Sequence, residues 1–98
     1  MDIREVRDGS NLTLYLEGQL DTTTVKVLNT ALDGRLGGVA CLVLDMENLT
    51  YISSAGLRSL LINQKIMSKQ GKMVVRNVNE TIMETFQLTG FQKILTIE

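Results

Sequence analysis

Alternating apolar periods along the chain predict an α/β domain with a mixed, mainly parallel sheet and helices packed on it. Three observations carry that prediction. An N-terminal segment repeats its apolar residues every second position, three later segments repeat theirs at helical spacing, and short apolar runs separate those segments. A hairpin followed by repeated helix-strand units implies right-handed crossovers between parallel strands. With 98 residues, 44% of them hydrophobic, the chain is expected to form one domain over 1–98, with no room for a second.

Leu12, Leu14 and Leu16 alternate with Thr13, Tyr15 and Glu17, which marks a strand with one apolar face. The preceding DIREVR is its expected hairpin partner across Asp8-Gly9-Ser10-Asn11. The period then changes. Val25, Leu28, Leu32 and Leu36 predict a helix, with Asp21 as its N-cap and Gly37-Gly38 as its stop. Val39 to Leu44 is apolar throughout, the pattern of a strand buried on both faces, and it is expected to end at Asp45. MENLTYI reads as a loop leading to a second helix over about 54–69, with Leu57, Leu60, Leu61 and Met67 as one stripe. Ile62 and Ile66 lie off that stripe, which predicts apolar neighbours on more than one side of this helix. Gly71 ends it and KMVVRN forms a further strand. Asn79 caps a third helix whose Ile82, Met83 and Phe86 face inward, Gly90 stops that helix, and KILTI closes the chain as a short strand.

Composition removes several kinds of function. Ten Lys and Arg against eleven Asp and Glu give a net charge of -1, which offers no electrostatic grip on nucleic acid or an anionic membrane. The run from Val39 to Leu44 is far short of the roughly 20 apolar residues that span a bilayer. MDIREVRDG lacks the apolar stretch of a secretory signal, so a soluble, cytoplasmic chain is expected. Cys41 is the only cysteine, which precludes an internal disulfide, and its place within VACLVL predicts a buried core position. No histidine is present, so the usual zinc and iron ligands and a serine-histidine-acid triad are missing. Neither GxGxxG nor GxxxxGK occurs, and SSAG departs from GxSxG; no cofactor is expected.

In open α/β sheets, ligands and partners are engaged beyond the carboxyl ends of the strands. Asp21 follows one strand, Asp45 ends the next, and Ser53 and Ser54 open the central helix. Asp21, Asp45 and Ser54 are therefore expected on one rim, with Glu47 near it. Two readings of the serines stand side by side. A serine at a helix start caps a free N–H, worth about 1 kcal/mol over alanine. One serine suffices for that, and the residues three positions on, Gly56 and Leu57, complete no capping box. In the second reading the helix N-terminus favours a phosphate on serine, and Gly56 clears space for an approaching backbone or nucleotide. Asp21 and Asp45 likewise read either as a cap and a solvated strand end or as partner contacts.

The stretch LVLDMENLTYISSAGLRSLL resembles the signature of the STAS domain family, and specifically of the bacterial anti-sigma-factor antagonists. LEGQLDTTT resembles that family's first loop, and ETFQLTGFQKILTI its closing helix, glycine and strand. The resemblance implies that Ser54 is the phosphoacceptor, followed by the small Ala55 and by Gly56. Ser53 stands where the family usually has aspartate, and is the second candidate acceptor. The surface expected to meet a partner comprises Asp21, Thr22, Asp45, Ser53, Ser54, Ala55, Gly56 and Arg58.

That resemblance further implies partner switching. The unphosphorylated domain binds an anti-sigma factor and releases a sigma factor; the anti-sigma factor, often a serine kinase, phosphorylates the domain and dismisses it; a phosphatase restores it. The domain is then a substrate and a switch, not an enzyme, with ATP and magnesium held by the kinase. A monomer is expected, since the switch must expose its rim. Ser53 in place of aspartate keeps an alternative open: a STAS subunit of a scaffold or transporter assembly that binds partners without being phosphorylated.

Overall fold

In the computed structural model, which describes residues 1–98, five strands form one sheet in the order β1 (Asp2–Asp8), β2 (Asn11–Leu20), β3 (Cys41–Ile52), β4 (Lys72–Arg76) and β5 (Thr96–Ile97). β1 runs antiparallel to β2, and the later neighbours are parallel. Helices α1 (Val25–Leu32), α2 (Ser54–Ser68) and α3 (Glu80–Thr89) alternate with the parallel strands. The mixed α/β architecture expected from the alternating periods is therefore present. The first hairpin turns on Gly9-Ser10, where Gly9 has a φ of 62° that a glycine adopts without strain.

One side of the sheet is the core. Leu12 and Leu14 of β2 pair with Leu42 and Leu44 of β3, Leu16 and Met46 join the same core beside the register shift, and Met73 and Val75 of β4 extend the layer. The buried hydrophobic residues of all three helices belong to that same cluster: Leu28 and Leu32 of α1, Leu57, Leu60 and Met67 of α2, and Ile82 and Phe86 of α3; Leu61, expected on the stripe of α2, is only half-buried outside it. Removing these side chains from water is the main stabilisation, about 25 cal/mol per Å² of apolar surface.

Because the helices share one side, the all-apolar run in β3 is not buried on both faces. Cys41 and Val43 are only half-buried and alternate with the buried Leu42 and Leu44. Cys41 thus lies outside the core that the sequence assigned to it. The segment MENLTYI, expected as a loop, continues β3 to Ile52 and pairs with the end of β2 after register shifts at Tyr15/Glu17 and Gly18/Gln19. These bulges let β2 and β3 run on past β4 as a two-stranded extension.

Three smaller expectations also change. α1 ends at Leu32 because Asp33 is extended and Gly34 turns the chain at φ 69°; Leu36 is buried outside the helix. Ile62 and Ile66 of α2 are 50% and 42% exposed and border an open hollow shared with Leu32 of α1, so that flank is only partly covered. Of KILTI, only Thr96–Ile97 is strand, preceded by a 3-10 turn at Phe91–Lys93. α3 follows the sequence at its ends, where Asn79 Oδ1 accepts from Ile82 N–H at 3.0 Å and Gly90 stops the helix with φ 80°, whereas Met83, expected to face inward with Ile82 and Phe86, is only half-buried and outside the core. The Asn79 amide also donates to Leu49 O at 2.7 Å, which ties α3 to the far half of β3.

Candidate partner-binding rim at the ends of β2 and β3

The parallel pairing of β2 with β3 closes at Leu20 and Ile52, and the Ser53 N–H then donates to Leu20 O at 2.8 Å. That bond sets the residues following both strands side by side. After β2, the Asp21 carboxylate accepts from the N–H groups of Thr23 and Thr24, both at 2.9 Å. The Thr24 hydroxyl donates to Gln19 O at 2.6 Å and accepts from Asp21 N–H at 2.8 Å. Asp21 therefore caps the turn that leads into α1; the residue immediately before the helix is Thr24, whose side chain caps nothing there. The Thr24 N–H holds the Asp21 carboxyl below its ordinary pKa, the Thr24 hydroxyl and Thr23 N–H add to that, and partial desolvation opposes it. The carboxylate is fixed and ionised. Thr22 is exposed beside it.

After β3, the two serines divide in role. Ser53 is extended, its hydroxyl oxygen accepts from Gly56 N–H at 3.3 Å and its carbonyl accepts from Leu57 N–H at 2.9 Å. It is the N-cap of α2. Ser54 begins the helix proper with its side chain exposed. Gly56 is buried, and a Cβ at that position would lie 2.8 Å from Leu20 Cγ, 2.9 Å from Ile52 Cγ1 and 3.0 Å from Leu20 O. The glycine lets α2 start in contact with the strand ends beneath it. It clears no space for an approaching molecule, contrary to the sequence expectation.

Ala55 is half-buried and Arg58 exposed, and both border a hollow of about 180 Å³ between α1 and α2 with Val25, Asn29, Ser59 and Ile62. The wall of this hollow contains a polar link that the sequence reading missed. The buried Ser59 hydroxyl donates to Asn29 Oδ1 at 2.7 Å, and Asn63 Nδ2 donates to Ser59 O at 2.8 Å. A serine and an asparagine four apart beside the leucine stripe of α2 were the available signal.

Asp45 does not join the rim. It lies seven residues before Ile52 on an extended strand, about 20 Å away at roughly 3.3 Å per residue. Its side chain faces away from the helices and is buried among other partners. Asp45 Oδ2 accepts from Asn77 Nδ2 at 2.8 Å and pairs with Arg76 Nε at 3.4 Å, while Oδ1 accepts from Glu47 N–H at 3.1 Å. It belongs to a row across four strands, Arg4, Tyr15, Asp45 and Arg76, in which the Arg4 guanidinium stacks 4.3 Å from the Tyr15 ring. Glu47, two residues beyond Asp45 and still five before Ile52, is likewise remote from Ser54. The rim thus unites Asp21, Thr22, Ser53, Ser54, Ala55 and Arg58, with Gly56 beneath it.

A family model described as "STAS domain" matches residues 3–98. The chain belongs to the STAS domain family. The anti-sigma F factor antagonist of Paenibacillus polymyxa is 30% identical over 89 residues, covering 88% of this chain and 76% of that protein. Among solved structures, an anti-sigma factor antagonist from Mycobacterium paratuberculosis superposes with a TM-score of 0.87 at 18% identity, over 98% of this chain and 83% of that one. The phosphorylated form of the Bacillus cell fate determinant SpoIIAA superposes with a TM-score of 0.76 at 18% identity, over 99% and 91%. Those two likenesses establish the STAS fold. No helix of this domain is long and apolar enough to cross a membrane.

Proposed function

We propose that this STAS domain is an anti-sigma-factor antagonist that binds an anti-sigma factor through the Asp21–Ser54 rim, and that phosphorylation of Ser54 dismisses that partner. The observation supporting this reading is the division of labour at the start of α2. Ser53 supplies the cap, so the exposed Ser54 hydroxyl is not needed for capping. The Paenibacillus relative carries the antagonist role in its name, and the Bacillus structural neighbour occurs in a phosphorylated form. The domain supplies the hydroxyl and the docking surface; a cytoplasmic serine kinase supplies ATP and magnesium, and a phosphatase reverses the step.

A phosphate on Ser54 adds about 1.5 to 2 negative charges near neutral pH. It would stand at the N-terminus of α2, where unpaired N–H groups tolerate an anion, but next to the fixed Asp21 carboxylate. Folding changes little under such a modification. A partner packed on the rim has to desolvate the new charge, and that is where affinity is lost. Calorimetric titration of Ser54→Ala and Ser54→Asp against the cognate anti-sigma factor tests the proposal. The alanine variant binds as wild type, and the aspartate variant binds more weakly by about 1–3 kcal/mol. Equal affinity of both folded variants excludes the rim as the switching surface and favours a scaffold that is never phosphorylated. Site-resolved mass spectrometry after kinase treatment checks the acceptor: phosphate on Ser53 alone places the modification one residue early.

A further inference from the structure

β1 is one edge of the sheet, paired only with β2. Its hairpin closes at Asp8 and Asn11 around a two-residue turn. In that geometry the closing pair exchanges both backbone bonds, and alternate residues follow suit. Val6 and Arg4 therefore direct their backbone groups at β2, whereas the N–H and C=O of Ile3, Glu5 and Arg7 face the open edge.

Charged side chains on an edge strand ordinarily discourage pairing. Here four of the five residues in Arg4-Glu5-Val6-Arg7-Asp8 are charged, yet their order is self-complementary. Laid antiparallel on a second copy and centred on Val6, the segment sets Arg4 opposite Asp8, Glu5 opposite Arg7, and Val6 opposite Val6. Every position then meets an opposite charge or an apolar partner. The adjacent two-fold registers fail. One sets Glu5 against Glu5 and the other Arg7 against Arg7, with like charges directly opposed.

We propose that β1 is a homodimerisation edge, through which two copies of this chain join their sheets by antiparallel β1–β1 pairing centred on Val6. Glu5–Arg7 is the backbone-bonded pair in this register, and Val6 meets its counterpart at the closer, non-bonded spacing. Val6 is 46% exposed in the single chain, the exposure such a contact removes. Arg7 is engaged only through a 3.4 Å bond to its own turn at Gly9 O, so its guanidinium is free to turn outward. Glu5 already faces Arg35, and a carboxylate has lone pairs for a second guanidinium. The pairing leaves the switch rim open, because β1 flanks Asn11–Glu17 of β2 and the rim begins beyond Leu20. It is independent of the phosphorylation proposal.

Sedimentation velocity over a rising concentration of the full chain reads the association directly. The mass is expected to climb from the 10.9 kDa of one chain to that of two. Arg7→Glu and Glu5→Arg each remain at the mass of one chain, since each opposes like charges at both symmetry-related pairs. Mixed in equal amounts they recover the two-chain mass, because position 5 of one then meets an opposite charge at position 7 of the other. Circular dichroism establishes that each variant is folded. Amide exchange on the unmodified protein gives a second reading: the N–H groups of Glu5 and Arg7 exchange more slowly as concentration rises. A wild-type chain that stays monomeric, an Arg7→Glu variant that dimerises as wild type, a mixture of folded variants that fails to recover, or amide exchange at Glu5 and Arg7 unaffected by concentration overturns the proposal.

Discussion

Replacing Gly56 by alanine sets helix propensity against packing, and the two predict opposite signs. Alanine is better than glycine within a helix by at most about 1 kcal/mol. The added Cβ, however, falls below 3.0 Å from Leu20 Cγ and Ile52 Cγ1 and 3.0 Å from Leu20 O. Neither side chain has room to yield, since Leu20 is fully buried and Ile52 is 3% exposed. Leu20 O is held in turn by the Ser53 N–H. Overpacking of a tight core costs about 1–3 kcal/mol, so the net expectation is a loss of about 1 kcal/mol. For a domain of this size that lowers the melting temperature by roughly 4–8 °C. The start of α2 must lift to relieve the contact, which moves Ser54 relative to Asp21 and weakens partner binding as well. Thermal unfolding by circular dichroism, with calorimetric titration alongside, measures both. A Gly56→Ala protein that melts at or above the wild-type temperature refutes the argument, because propensity would then outweigh the close approach.

The other outcomes concern two serines and an aspartate at that helix start, and Asp45, which lies far from it. Ser53→Ala is expected to cost about 1 kcal/mol in urea denaturation through the lost cap, whereas Ser54→Ala stays within about 0.5 kcal/mol of wild type; equal losses would mean that both hydroxyls cap. Asp21 has a lowered carboxyl pKa, so the stability its charge contributes is fully present above the ordinary aspartate pKa and is lost as pH falls through the lowered value. Asp21→Asn retains an acceptor but not the charge, and its melting temperature should converge on that of wild type as the solution is acidified; parallel curves down to low pH would discount the ionised form. Asp45→Ala removes the acceptor shared by the amide of Asn77 and the guanidinium of Arg76, and because both donors reach water the cost is about 0.5–1.5 kcal/mol, while affinity for the anti-sigma factor is unchanged. A selective loss of affinity there would return Asp45 to the interface.

What the sequence disclosed and what it concealed follow from the range of the interactions involved. α3 was readable almost residue by residue because its cap, its inward Ile82 and Phe86, and its αL glycine are local. β2 was readable because alternation of leucine with polar residues is a one-face signal. The second half of β3 was not, since Glu47 and Asn48 are poor strand formers, and what holds them extended is a shifted register with β2 that only the partner strand specifies. The same error misplaced Asp45. Reading a loop where seven strand residues follow folded the chain back too early, and brought to the rim an aspartate that lies far down the strand. The exposure of Cys41 and Val43 was hidden for a related reason, because an apolar run does not disclose how many helices cover the second face.

The pair of serines before Ala55 and Gly56 gains its meaning only when the three side-chain directions are known. Gly56 points inward, where Leu20 and Ile52 leave no space for a Cβ. Ser53 points along the helix start and holds the Gly56 N–H. Ser54 points into solvent. If a single serine had to serve as both cap and acceptor, esterifying its hydroxyl would disturb the bond that fixes the helix terminus, and the modification would tax folding as well as binding. Two adjacent serines separate these tasks, so a phosphate on Ser54 leaves the cap in place. Aspartate at position 53 would cap equally well and add a fixed negative charge at the same helix terminus. With serine there, the cap is kept, and the proposed phosphate on Ser54 would be the first full negative charge on the opening residues of this helix. Of the two neighbours closest in the chain to a phosphoacceptor at Ser54, neither is then anionic, and Asp21 across the strand ends is the carboxylate left to oppose the incoming phosphate.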